Sequence, residues 1–365
     1  MAHRWLLHLL LVSVLGLTAC SQSAKLPPLL VQGDGLRAVG QDGTQVELLA
    51  SDAAEVVSQP TWAPDSSFAV WTEFNPAENV ARIAMGNGES QRRIDGNTFP
   101  FFYGFSPDGQ TLAYLGNDPA GNGVALGLLD VGSGVARLVA AGQPFFFDWA
   151  ADSSQVLVHA NQADTYLLNL EGEEQTLDVA PGVFQAPAFL DDGRLLLVEN
   201  GSLVALDPDS DDREVLAGVG LFSEFSVAGD RIAFTANPQM APGPLAVTSL
   251  STGDQQEITD LPVIAFEWSP NNDLLYYLAL EPEGLLPGIW NGEESVEFEP
   301  ALPSTVFLQS YLPFWDQYSR FHTLWRADSS GFYLPRENGE IVFYPADGGE
   351  VTVVAEGAMA FPAPG

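Results

Sequence analysis

The chain has 365 residues, 46% of them hydrophobic, with 35 Gly and 26 Pro; the apolar material suffices for a sizeable core, while the dense punctuation excludes long helices. Its formal net charge is -35, from 48 acidic and 13 basic residues, which repels phosphate backbones and excludes nucleic acid as a partner. One cysteine excludes an intramolecular disulfide, so stability rests on burial and strand pairing.

Met1-Ala2-His3-Arg4 is a short basic start, followed by an apolar run from Trp5 to Leu15. That run is too short to span a bilayer and ends in small residues, as a secretory signal does. Leu17-Thr18-Ala19-Cys20 then resembles the lipobox of bacterial lipoprotein signals. The resemblance implies cleavage after residue 19 and acylation of Cys20, because the thiol is the nucleophile for the diacylglyceryl group and the peptidase needs a small residue before it. It implies export, and a lipid anchor in the cell membrane or outer membrane. Each buried methylene adds roughly 0.8 kcal/mol, so two or three chains hold stably. Residues 20–28 read as a tether, and 29–365 as a single domain.

From residue 29 onward the expected elements are short strands. Leu29–Gln32, Leu36–Val39 and Val46–Leu49 come first, and then a unit repeats. Its clearest copy is Phe105-Ser106-Pro107-Asp108-Gly109, followed by an apolar strand from Thr111 to Tyr114. Ser at the first position, Pro at the second and Gly at the fourth specify a type I turn, so the unit is a hairpin. Anchor aromatics recur at Trp62, Phe105, Trp149, Phe189, Phe225, Trp268 and Trp325, with steps of 43, 44, 40, 36, 43 and 57 residues. Each hairpin is followed by a second, more exposed one. A period near 40–45 residues with four short strands per unit is the signature of propeller blades.

The aromatic-Ser-Pro-Asp-Gly turn resembles the repeat of TolB-like (WD40-like, PD40) β-propellers, and the likeness extends over nearly all of 29–365. It implies an all-β propeller and says little of function, since the turn residues are structural. Seven anchors suggest seven blades. The ending Ala360-Phe361-Pro362-Ala363-Pro364-Gly365 aligns with the Phe105 turn and supplies an eighth inner strand, whose three companions are the strands at 29–49. Eight blades closed by N- and C-terminal strands sharing one blade is the preferred reading, with seven as the alternative; closure removes open sheet edges.

Function concentrates on the face carrying the loops into strand one and between strands two and three. Asparagine recurs there at Asn75, Asn117, Asn161, Asn200, Asn237 and Asn338, with Glu281 in the remaining unit; turn chemistry accounts for this pattern. The 57-residue step carries an insertion, Leu312 to His322. Repeat-breaking insertions map to loops and are often functional. Trp315, Asp316, Gln317, Tyr318, Arg320 and His322 are its candidate ligand- or partner-binding residues. The competing reading is a hydrophobic plug in which Asp316 pairs with Arg320. The clusters at 101–103 and 145–147 read as core between blades. Asp207 to Asp212 imitates a calcium loop but lacks its glycine and glutamate. No nucleophile elbow, zincin motif or phosphate-binding loop is present, so neither a catalytic residue, a metal site nor a cofactor is assigned. The sequence thus reads as a monomeric binding or scaffolding lipoprotein for an envelope protein or small ligand. The alternative is a calcium-dependent propeller hydrolase, similar to the propeller lactonases, with Glu73, Asn161 and Glu281 as channel ligands.

Overall fold

The computed structural model describes residues 28–50, 54–95, 98–182, 185–221, 223–236 and 241–364. Cys20 and the leader lie outside them, as does Asn237. The Ser106 turn forms as its residue types require: Gly109 donates its N–H to the Ser106 carbonyl at 2.8 Å and adopts φ +70°, a conformation glycine reaches without cost. The Ser106 hydroxyl donates to Asp108 at 2.6 Å. Its oxygen accepts from the Thr111 N–H at 3.0 Å, which starts the next strand.

Each turn opens a meander of antiparallel strands. In the Trp62 unit these are Val56–Trp62, Ala69–Asn75, Val80–Gly86 and Gln91–Asp95, paired in that order. The second and third strands are buried on both faces and read as near-continuous apolar runs; the outermost, Gln91–Asp95, is polar and exposed. Among the described residues the strands form five four-stranded sheets, one three-stranded and one seven-stranded. The last is two units joined by a long strand, Gln255–Trp268. Its first half pairs with Gly243–Ser249 and its second with Leu275–Glu281. The three-stranded sheet is extended inward by a bridge between Trp325 and Phe332.

The anchor tryptophans tie neighbouring units together. The indole N–H of Trp62 donates to the Phe361 carbonyl (3.0 Å), Trp149 to Gly104 (3.1 Å), Trp268 to Ser226 (3.1 Å) and Trp325 to Glu267 (2.9 Å). Burying each ring between sheets brings its one polar atom to the inner strand of the preceding unit. The ring closes between the ends of the chain: Leu29–Gln32 pairs antiparallel with Met359–Pro362, with Leu30 opposite Phe361.

The alignment of that last strand needs one correction. Trp149 and Trp325 reach the residue just before an anchor, Gly104 or Glu267, so Phe361 stands at this preceding position and Pro362-Ala363-Pro364 matches Trp62-Ala63-Pro64. A shift of one residue turns a side chain to the other face. The Phe361 ring accordingly meets the rings of His322 at 5.4 Å and Tyr311 at 6.3 Å, on the axis of the ring.

Candidate functional site

The insertion fills the channel and takes up helical turns, at Phe307–Tyr311, Leu312–Phe314 and Trp315–Tyr318. A loop was the sequence expectation. Inside a closed ring no strand edge is free, and buried peptide groups must find partners; short turns satisfy them locally and let the side chains radiate. Tyr311 is fixed by its hydroxyl, which donates to the His322 carbonyl at 2.7 Å.

All six candidate residues come together here, and each is spent on the strands around it. Trp315 is 1% exposed and packs on Phe266 at 4.7 Å between ring centres. Gln317 makes two bonds to one residue: its Oε1 accepts from the Phe147 N–H at 2.8 Å and its Nε2 donates to the Phe147 carbonyl at 2.9 Å. Asp316 accepts from the Ala186 N–H at 2.9 Å. Tyr318 stacks on Phe102 at 4.6 Å. His322 donates from Nε2 to the Tyr103 carbonyl at 2.9 Å, and burial pushes its pKa down to about 4.

Arg320 differs from the expectation. Its guanidinium lies 3.7 Å from the Asp148 carboxylate, and it meets Asp316 through that residue's main-chain oxygen instead of a carboxylate pair. It donates from Nη2 to the Ala186 carbonyl at 2.7 Å, from Nη1 to the Pro187 carbonyl, and from Nε to the main-chain oxygen of Asp316 at 3.1 Å. The insertion is thus a plug clamped to several inner strands. Gly104 shows how closely it fits, since a Cβ there would lie 2.8 Å from the Phe321 ring.

The plug divides the channel into two mouths. On the loop face lies a cleft of about 720 Å³. Its walls are Phe101, Phe145, Phe146, Phe314 and Tyr318, and Glu224, Asp316 and Gln317 also line it. The opposite mouth, about 280 Å³, is lined by Asp148, Glu267, Ser226 and Arg320. The expectation that the clusters at 101–103 and 145–147 are core holds for Phe102, Tyr103 and Phe147, all 0% exposed. Phe101, Phe145 and Phe146 also face the cleft.

Carboxylates collect along the axis. Burial raises the pKa of Asp148 and Asp316. Burial, together with the charge of Asp316, raises that of Glu224 further. Burial pushes Glu267 up to about 8, opposed by hydrogen bonds from Thr323 and the Leu324 N–H. Sequence reasoning missed Asp148, Glu224 and Glu267. The available signal was position: each directly precedes an anchor aromatic.

The proposed channel ligands do not gather. Glu73 accepts from the Trp71 indole at 3.2 Å and pairs with Arg93 at 2.5 Å. Asn161 sits at φ +53° and bonds Gln143 and Asp164. Glu281 closes a hairpin opposite Gly284. His159 is held separately, its Nδ1 donating to the Gln185 carbonyl at 2.8 Å. Among the described residues no group of three or more His, Cys, Asp or Glu is placed to hold a metal. Described asparagines of the recurring set serve turns, as where Asn75 accepts from the N–H groups of Ala77 and Glu78, and Asn338 from that of Glu340. Asp207 does the same for Asp209 and Ser210.

No family model and no curated protein matches the chain. Among solved structures it is similar to the β-propeller domain of the Trilobed protease from Pyrococcus furiosus: 13% identity, 83% of this chain and 99% of that one, TM-score 0.51. It is also similar to a prolyl endopeptidase, at 13% identity and TM-score 0.58 over 84% of this chain. That match spans half of the endopeptidase, 50% of its length. TolB from Acinetobacter baumannii matches more loosely, at 16% identity and TM-score 0.44 over 75% of this chain and 80% of that one. The chain is a β-propeller. The all-β propeller read from its turns is borne out as a likeness of fold.

Proposed function

We propose that this propeller is a binding or scaffolding module rather than an enzyme, held outside the cytoplasm by acylated Cys20 and presenting the cleft on its loop face to a small ligand or an envelope protein. In this reading the ring has eight blades, the strand Gln255–Trp268 serving two of them and Trp325 supplying an inner edge. The observation that carries it is the plug. By filling the channel with its own aromatic side chains, the chain builds a floor for a concave, mostly apolar cleft with a few polar groups, the usual form of a ligand site. Among the described residues no helix is long and apolar enough to cross a membrane; the anchor in this reading is the lipid.

The test has two arms. Metabolic labelling with an alkynyl fatty acid is expected to mark the wild type and not Cys20→Ser; an unlabelled wild type refutes the anchor. Capture from solubilised membranes is expected to lose partners on Phe314→Asp, since Phe314 is 49% exposed at the rim of the cleft. Identical partner sets refute the cleft as the contact site.

A further inference from the structure

We propose that the cleft takes an organic cation, an ammonium group on an apolar body, seated between its aromatic walls and the carboxylates of Glu224 and Asp316. The inference rests on reading the cleft as the binding site and adds the chemistry of what enters it.

Charge balance is the first argument. Along the axis stand Asp148, Glu224, Glu267 and Asp316, and the plug brings a single guanidinium, that of Arg320. That group lines the small mouth, beside Asp148, with its donors committed to main-chain carbonyls. Among the described residues Glu224 has no ion pair. Glu224, beside Asp316 on the cleft side, is therefore under-compensated, and the whole chain, at -35, draws cations toward it. The raised pKa of Glu224 expresses the same deficit, because burial and the neighbouring charge of Asp316 disfavour its ionised form.

The walls are the second argument. Phe101, Phe145, Phe314 and Tyr318 present rings to a volume of about 720 Å³, and the negative face of an aromatic ring attracts a cation, ammonium groups above all. The two carboxylates beside these walls repel an anion. Among the described residues no third carboxylate or histidine joins Glu224 and Asp316 to hold a hard divalent ion, which needs six or more ligands. A ligand with a charged head and an apolar body satisfies both kinds of lining at once.

The test is isothermal titration of the full-length chain in detergent micelles with 2-phenylethylammonium, its neutral near-isostere 2-phenylethanol, and calcium chloride. The ammonium is expected to bind at least tenfold more tightly than the alcohol. Glu224→Gln is expected to reduce that preference below threefold at unchanged folding. Should Glu224→Gln fail to fold, Phe314→Ala, at a half-exposed ring, is expected to weaken the ammonium at least threefold. Equal affinity for ammonium and alcohol overturns the cation inference and leaves the cleft reading standing. Calcium binding that displaces the ammonium overturns it in favour of a metal. If neither organic probe binds, both readings fall.

Discussion

Replacing Phe361 with alanine tests whether the ring is closed by its own termini. The ring is 4% exposed, lies against His322 and Tyr311, and sits on a strand whose other partner is Leu29–Gln32, more than 300 residues away in sequence. Met359 and Ala360, at 1% and 0% exposed, leave little room for the cavity to collapse. Removing a buried phenyl ring into such a site costs about 3–5 kcal/mol. A domain of this size has an unfolding entropy of about 0.7 kcal/mol/K, so a loss near 4 kcal/mol lowers Tm by about 6 °C. The assay is urea denaturation together with thermal melting, with the urea slope expected unchanged. Deleting residues 357–365 should cost at least as much as the point substitution, because it also exposes Leu30 and Val31 and strips the Trp62 indole of its acceptor. A truncated chain that melts within a degree or two of wild type refutes closure through this strand.

The other predictions concern the axis. Gln317→Glu should be worse than Gln317→Leu, because the carboxylate turns a donor toward the Phe147 carbonyl into a second acceptor in a buried site; we expect a loss of about 1–3 kcal/mol for leucine and more for glutamate, and a glutamate variant melting with wild type defeats the clamp. Glu267 has a folded pKa of about 8 against an ordinary 4.5. Between those values the folded chain holds a proton that the unfolded chain has released, so this group's contribution is full below pH 4.5 and is lost as pH rises through about 8. Glu267→Gln should therefore flatten the fall in melting temperature from pH 5 to pH 8, and an unchanged pH profile counts against the buried carboxyl. His322, with its pKa pushed down to about 4, acts with the opposite sign and only below pH 6.5, so the comparison is cleanest from pH 6.5 to pH 8.

Much of this fold was legible because propeller blades are built from local decisions. Ser-Pro-Asp-Gly specifies its turn within four residues, apolar runs such as Thr111–Asn117 specify a strand buried on both faces, and the spacing of the anchors reports their repetition. Even the terminal seam followed, since strands at 29–49 without an inner partner and a fragment ending at its turn are complementary deficits. What tertiary structure alone decided is who meets on the axis. The one-residue offset at Phe361 depends on the pairing with Leu30. The pairing of Arg320 with the Asp148 carboxylate rather than that of Asp316 depends on which inner strand the plug faces. The gathering of Glu224 and Asp316 under an aromatic cleft joins residues from units far apart in the chain. Turns and strands are written in neighbours along the sequence, whereas the axis is where every unit converges, and convergence is a property of the closed ring.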